Sequence, residues 1–152
     1  MEKGPDSKIF EEQCRMVLET WCPKNGLLIS KQGKLQFPKP GGGSYFVDIE
    51  IISSSDSQMR GLFSCRWQKS GGTTEEKIVY EVIKLLNAME FDTRYKQAWI
   101  AMGGAGWSES ILNFVSSNEI EKWIPAMKGK ITIFKDPNDL AQRAEKVIRL
   151  NS

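Results

Sequence analysis

Tyr45-Phe46-Val47-Asp48-Ile49-Glu50-Ile51-Ile52 and Gly61-Leu62-Phe63-Ser64-Cys65-Arg66-Trp67-Gln68 both carry the two-residue alternation of half-buried strands. Successive side chains of a strand point to opposite faces. The pattern therefore predicts paired strands with Asp48, Glu50, Ser64, Arg66 and Gln68 on one face, and Val47, Ile49, Ile51, Phe63, Cys65 and Trp67 on the other. An ordinary core strand carries neither acids nor a guanidinium, because a buried charge must be paired or bound. This face is expected to hold a metal or a phosphate.

Working outward, residues 53 to 60 form the polar turn between the strands, and residues 38 to 44, with three consecutive glycines, a loop before them. Residues 27 to 30 and 34 to 37, separated by Gln32-Gly33, read as a short strand or hairpin. Residues 6 to 21 place Phe10, Cys14, Val17, Leu18 and Trp21 on one helical stripe, with Asp6 and Ser7 as caps. Downstream, Ser70-Gly71-Gly72 stops the second strand, and Thr73 and Glu76 have the spacing of a capping box. That helix continues through Ile78, Val79, Val82, Ile83, Leu85 and Leu86. Residues 97 to 102 form an apolar strand that ends in a flexible Gly103-Gly104-Ala105-Gly106-Trp107. Helical segments over 108 to 115 and 118 to 124, a strand over 130 to 134, and a last helix capped by Asp136 with Pro137 in first position complete the chain. Strands joined by short links must be antiparallel, and strands joined through helices are usually parallel. The expected fold class is α/β, a central mixed sheet flanked by helices.

Composition narrows the chemistry. A length of 152 residues with 40% hydrophobic and 26% charged side chains suits a single domain with its own core. Cys14, Cys22 and Cys65 form no CxxC pair and are odd in number, so neither a disulfide framework nor a zinc knuckle is indicated, and a reducing, cytoplasmic setting is expected. No signal segment or membrane-spanning run is read in the sequence. The net charge of +2 and pI near 8.4 fall short of a dedicated nucleic-acid coat. Lys24, Lys31, Lys34 and Lys39, and Arg60, Arg66 and Lys69, either line a groove or are ordinary solubilising charge. The absence of histidine removes Ser-His and Cys-His schemes and His-ligated zinc. Metal chemistry through oxygen ligands remains.

Three further acids bear on that chemistry. At about 100° per residue, Glu75 falls within the stripe of Ile78, Val79, Val82 and Leu86, so it either serves the helix end or completes a carboxylate cluster with Asp48. Glu50 shares the face of Asp48 and is either a second ligand or the partner of Arg66 or a lysine. On the first helix Glu11 borders the apolar stripe. It is a solvated side chain by default, and the acid that geometry selects if that helix serves the site.

The segments Val47-Asp48, Ser64-Cys65-Arg66, Gly72-Thr73-Thr74-Glu75-Glu76-Lys77-Ile78 and Tyr80-Glu81, with this order of elements over residues 6 to 104, resemble the PD-(D/E)XK nuclease superfamily and its restriction-endonuclease-like fold. The Ser-Cys-Arg-Trp-Gln strand and the Gly-Gly-Ala-Gly-Trp loop look like bacterial restriction-endonuclease domains. Ser64 stands at the family's (D/E) position and Arg66 at that of its lysine. The resemblance implies the branch whose second acid has moved to the following helix. It implies Asp48 and Glu75 as metal carboxylates and Arg66 as a clamp on the scissile phosphate, while the shared strand face offers Glu50 as a further metal ligand, Ser64 as a catalytic-site residue, and Gln68 as either a residue that orients water or a simple exposed strand end. The Ile49 and Cys65 carbonyls would be neutral ligands, and Glu11 is the possible additional acid that helix geometry offers. It implies Mg²⁺, with Mn²⁺ as substitute, and DNA as the partner; of the clustered charges, Lys31, Lys34, Arg60 and Lys69 are the candidates to hold it. Tyr80 and Trp107 either line the groove or pack in the core. Arginine can clamp a phosphate in bidentate fashion but cannot deprotonate water.

The expected function is a metal-dependent DNA endonuclease of restriction or genome-defence type. The alternatives are a catalytically weakened binding module of the same fold and, more remotely, a structural ion-pair cluster in an interaction protein. Cutting both strands needs two active sites, which argues for a homodimer.

Overall fold

The computed structural model describes residues 5 to 70 and 76 to 150. Helix α1 (Pro5–Trp21) buries the expected stripe of Phe10, Cys14 and Leu18, with Val17 and Trp21 packed beside it. A 3₁₀ turn, Pro23–Asn25, ends at Gly26, whose φ of +73° is the left-handed conformation glycine adopts without steric cost. The strands β1 (Leu27–Ile29), β2 (Leu35–Pro38), β3 (Ser44–Val47), β4 (Ile49–Ser53) and β5 (Arg60–Trp67) follow, then α2 (Glu76–Phe91) and β6 (Tyr95–Gly103). The chain continues through α3 (Glu109–Ser116), α4 (Glu119–Trp123), β7 (Ile131–Phe134) and α5 (Pro137–Val147).

Five strands form one sheet in the order β1-β4-β5-β6-β7. The pairs β1–β4 and β4–β5 are antiparallel, and β5–β6 and β6–β7 parallel, which is the mixed sheet expected. Helices α1 and α5 cover one face, against Ile49, Ile51, Phe63, Cys65 and Trp99. The other face carries α2, α3, α4 and the β2–β3 ribbon, packed on Leu62, Ile100 and Met102.

The first quoted stretch departs from expectation. It bends at Asp48, so residues 45 to 52 are not one strand but two: β3 pairs with β2 in a separate two-stranded ribbon, and β4 lies in the main sheet. For the same reason β1 and β2 do not form a hairpin with each other, because their partners are the two halves of the bent run. The ribbon closes tightly through Gly41, Gly42 and Gly43, all at positive φ.

The Gly103–Trp107 stretch is also more ordered than its composition suggests. The Gly106 amide donates to the Gln68 carbonyl at 2.8 Å, and Trp107 Nε1 to the Gly103 carbonyl at 2.9 Å. Gly104 has φ +91°, and a Cβ there would lie 2.2 Å from the Gln68 carbonyl oxygen. Glycine permits this close approach of two strand ends. The C-terminal ends of the parallel β5 and β6 are thereby locked together beside Asp48, at the strand ends where open α/β sheets carry their sites.

Candidate active site

Asp48 occupies the joint between the two sheets. The last β2–β3 pair is Leu35 with Val47, and the first β4–β5 pair is Ile49 with Phe63. One step further along either ladder brings Asp48 opposite Lys34 on one side and Ser64 on the other. Its side chain, 2% exposed, uses both directions. Oδ2 accepts from the Cys65 amide at 2.8 Å, and Oδ1 from Lys34 Nζ at 2.5 Å. Lys34 also reaches Glu11 Oε1 at 3.1 Å, which brings this α1 carboxylate beside the cluster. Arg15 Nη2 donates to the Asp48 carbonyl at 3.4 Å.

The second carboxylate is Glu81, on α2 and 1% exposed. It accepts from Tyr45 Oη at 2.8 Å, from Ser64 Oγ at 3.3 Å, and at both oxygens from Arg66 Nη2, with 2.6 Å to Oε1. Lys84 Nζ lies 3.6 Å from Oε1 and over the rings of Tyr45 and Tyr80. Arg66 completes the connection: Nη1 donates to the Cys65 carbonyl at 2.9 Å and sits 3.7 Å from Asp48 Oδ2. Burial disfavours charge on Arg66, but the Glu81 carboxylate, with Tyr45 and Asp48, outweighs it and raises the pKa, so this side chain is a permanent cation. Burial, then the negative charge of Glu81, pushes the Tyr45 phenol well above its ordinary range. Burial lowers Lys84 against the pull of Glu81.

Of the residues read from sequence, Asp48, Ser64, Arg66, Glu11 and Lys34 come together. Glu50 is engaged elsewhere: its Oε2 takes Arg60 Nη1 at 3.0 Å and Tyr95 Oη at 2.5 Å, so its partner is Arg60 and not Arg66. Arg60, expected on nucleic acid, is committed to that pair and to the Ser57 carbonyl. Gln68 holds Gly103 and Gly106 through its backbone. Lys31 and Lys69 are exposed. Trp107 is half-buried, and Tyr80 donates to the Pro40 carbonyl at 3.1 Å. Glu75 and the capping residue Thr73 lie outside the described residues.

Sequence reasoning passed over Glu81 as a site residue. Its signal was present: it stands three residues after Ile78 and four before Leu85, both buried, so it belongs to the inward face of α2. Including Val79 and Leu86, which are only partly buried, rotated the assumed stripe away from it.

The oxygens of this cluster suit a hard divalent cation. Asp48 Oδ2, the Glu81 carboxylate and the Cys65 carbonyl already converge on one positive group, the Arg66 guanidinium. Among the described residues no three acidic, Cys or His side chains form a ready-made cage. Two carboxylates and a carbonyl, completed by water and phosphate, are nonetheless the open ligation typical of Mg²⁺. A cavity of about 450 Å³, lined in part by Ile133, Lys135 and Arg143, lies at the β7 edge and includes none of these groups.

Among the described residues no helix is long and apolar enough to cross a membrane. No curated protein and no solved structure matches the chain. The family profile of the PD-(D/E)XK nuclease superfamily domain matches residues 41–147, a span that contains Asp48, Ser64, Arg66 and Glu81. With two carboxylates and a strand cation gathered at the strand ends, and that profile extending over most of its length, the chain belongs to the PD-(D/E)XK nuclease superfamily.

Proposed function

We propose that residues 1 to 152 form a single nuclease-like domain that hydrolyses DNA phosphodiesters as a divalent-metal-dependent endonuclease of restriction or genome-defence type. The observation that supports this best is the convergence of Asp48, Glu81 and the Cys65 carbonyl on one cation. Asp48 and Glu81 would hold Mg²⁺, or Mn²⁺ in its place, with the Cys65 carbonyl as a neutral ligand. Glu81 would supply an acid from α2: its carboxylate sits over Ser64, at the strand position where the family carries an acid. When bound, the metal relieves negative charge on the phosphate and makes water a better nucleophile. Arg66 is a fixed cation whose charge would offset that of the phosphate, and it is too basic to accept a proton. Water oxygen bonds to phosphorus as the bond to the leaving sugar oxygen breaks; water loses a proton to solvent, and the leaving oxygen gains one. Exposed Lys31 and Lys69 would steer the DNA backbone, and a homodimer would bring two sites to two strands. The three cysteines are free and buried, compatible with a reducing cytoplasm.

A second reading is favoured by the same guanidinium. Because Arg66 already occupies both carboxylates, the domain could bind DNA without cutting it. Plasmid and linear DNA incubated at low salt with Mg²⁺, Mn²⁺ or EDTA separate the two. Metal-dependent cleavage that Asp48→Asn and Glu81→Gln each abolish is the expected result. DNA retention with no cutting in either metal would leave the binding module, and neither retention nor cutting would refute both.

A further inference from the structure

Arg66 is a poor substitute for a catalytic lysine because its Nη1 is turned to the Cys65 carbonyl and Asp48 and its Nη2 to Glu81. A second cation reaches the same carboxylate from outside the strand pair. Lys34 enters just before β2, where ladder register sets it opposite Asp48, and its Nζ lies 2.5 Å from Oδ1. Its side chain is 41% exposed, whereas the Asp48 side chain beneath it is 2% exposed. The ammonium therefore stands between the buried acid and solvent, where a polymer could approach. An ammonium has three donors. Asp48 and Glu11 account for two. Asp48 is also held by the Cys65 amide and faces Arg66, so the fold does not need Lys34 to satisfy that acid.

We infer that Lys34 is the catalytic lysine of this site. Its remaining donor contacts a nonbridging oxygen of the scissile phosphate from the Asp48 side, replacing the strand lysine that Arg66 displaced. The inference rests on the nuclease reading above. It assigns Lys34 to the reacting atoms, where the sequence suggested only a contact to the DNA backbone.

The test compares wild type, Lys34→Ala, Lys34→Arg and Asp48→Asn for DNA cleavage in Mg²⁺ and Mn²⁺, with thermal melting of each and added ethylammonium for the alanine variant. Lys34→Ala should lose about 100-fold in kcat, the scale of one lost transition-state donor, with little change in KM. Its melting should stay close to that of wild type, and ethylammonium should restore turnover to it but not to Asp48→Asn. Lys34→Arg should retain part of the activity. If Lys34→Ala cuts like wild type while Asp48→Asn does not, the assignment of Lys34 fails and the nuclease reading stands. Loss of activity with a lowered melting point, and no rescue by amine or arginine, would make Lys34 structural and overturn the inference. Absence of cleavage by wild type in both metals would overturn the nuclease reading and this inference together.

Discussion

Arg66 and Glu81, fifteen positions apart, form a fork in which one guanidinium nitrogen donates to both carboxylate oxygens, with 2.6 Å to Oε1. The other nitrogen of the fork holds the Cys65 carbonyl and faces Asp48. One side chain therefore joins β5, α2 and the joint between the two sheets. In a half-buried setting such a cation depends on its carboxylates, because an unpaired charge there is costly. The cluster is thus part of the fold as well as the candidate site.

Glu81→Gln tests the first of these roles. Glutamine keeps the volume but sets a neutral amide against Arg66, Tyr45 and Ser64. Removing one member of a buried pair typically costs about 3 kcal/mol or somewhat more. The urea midpoint should fall accordingly with an unchanged m-value, whereas the exposed Glu76→Gln should move it by no more than about 0.5 kcal/mol. Equal stability of the two variants would show that Arg66 finds adequate partners without Glu81.

Arg66→Lys tests the second. Lysine lacks the planar fork and cannot hold Glu81, Cys65 and Asp48 together, so the carboxylates become freer to take a divalent ion. Calorimetric titration with Mn²⁺ should give a Kd roughly tenfold tighter than wild type, about 1.4 kcal/mol. Unchanged affinity would mean that the guanidinium does not compete for the metal ligands.

The extent to which this site could be read from sequence depended on how local each signal was. The α1 stripe was visible in its own periodicity, and so was the α5 start: Pro137 is its first residue, and the Asp136 side chain accepts from the Asp139 amide. Asp48, Ser64 and Arg66 were visible because a two-residue period sorts them onto one face. The bend at Asp48 was not, because alternation runs across it from Val47 to Ile51 and nothing local marks a change of sheet. Lys34 could be set opposite Asp48 only through the β2–β3 register, a nonlocal fact. Glu81 lay between these cases, an acid in an apolar stripe whose centre shifts with the choice of flanking residues. Glu50 shows the converse, since sharing a face with Asp48 did not bring it to the same partners.

The raised Tyr45 pKa gives a pH dependence of definite sign. An acid whose folded pKa lies above its unfolded value contributes stability in full below the unfolded pKa, near 10.0 for tyrosine. That contribution is lost as pH rises from there toward the folded value, with a slope of about 1.4 kcal/mol per pH unit for one proton. Tyr45→Phe should therefore flatten the fall in stability above pH 10, while costing about 2 kcal/mol at neutral pH by removing a hydrogen bond to a buried carboxylate. The measurement is a set of urea titrations between neutral pH and the alkaline limit of folding. Identical alkaline slopes for both proteins would show that Tyr45 ionises as readily folded as unfolded.

Gly104→Ala isolates the contact that seats the strand ends. At φ +91° an alanine is strained, and its Cβ would meet the Gln68 carbonyl oxygen at 2.2 Å, a backbone atom that can yield only if the end of β5 moves. Backbone strain and overpacking each cost about 1–3 kcal/mol, so a loss of roughly 3 kcal/mol is expected. Gly129, also at positive φ but with nothing within 4 Å of its Cβ, supplies the control: Gly129→Ala carries the strain without the clash and should lose about 1 kcal/mol. The difference between the two measures the packing of the Gly103–Trp107 turn against Gln68. Because Gln68 stands two residues beyond Arg66, Gly104→Ala should also weaken Mn²⁺ binding, which Gly129→Ala should leave unchanged. Equal losses of stability in the two variants, with equal metal affinity, would show that the turn does not position the end of β5.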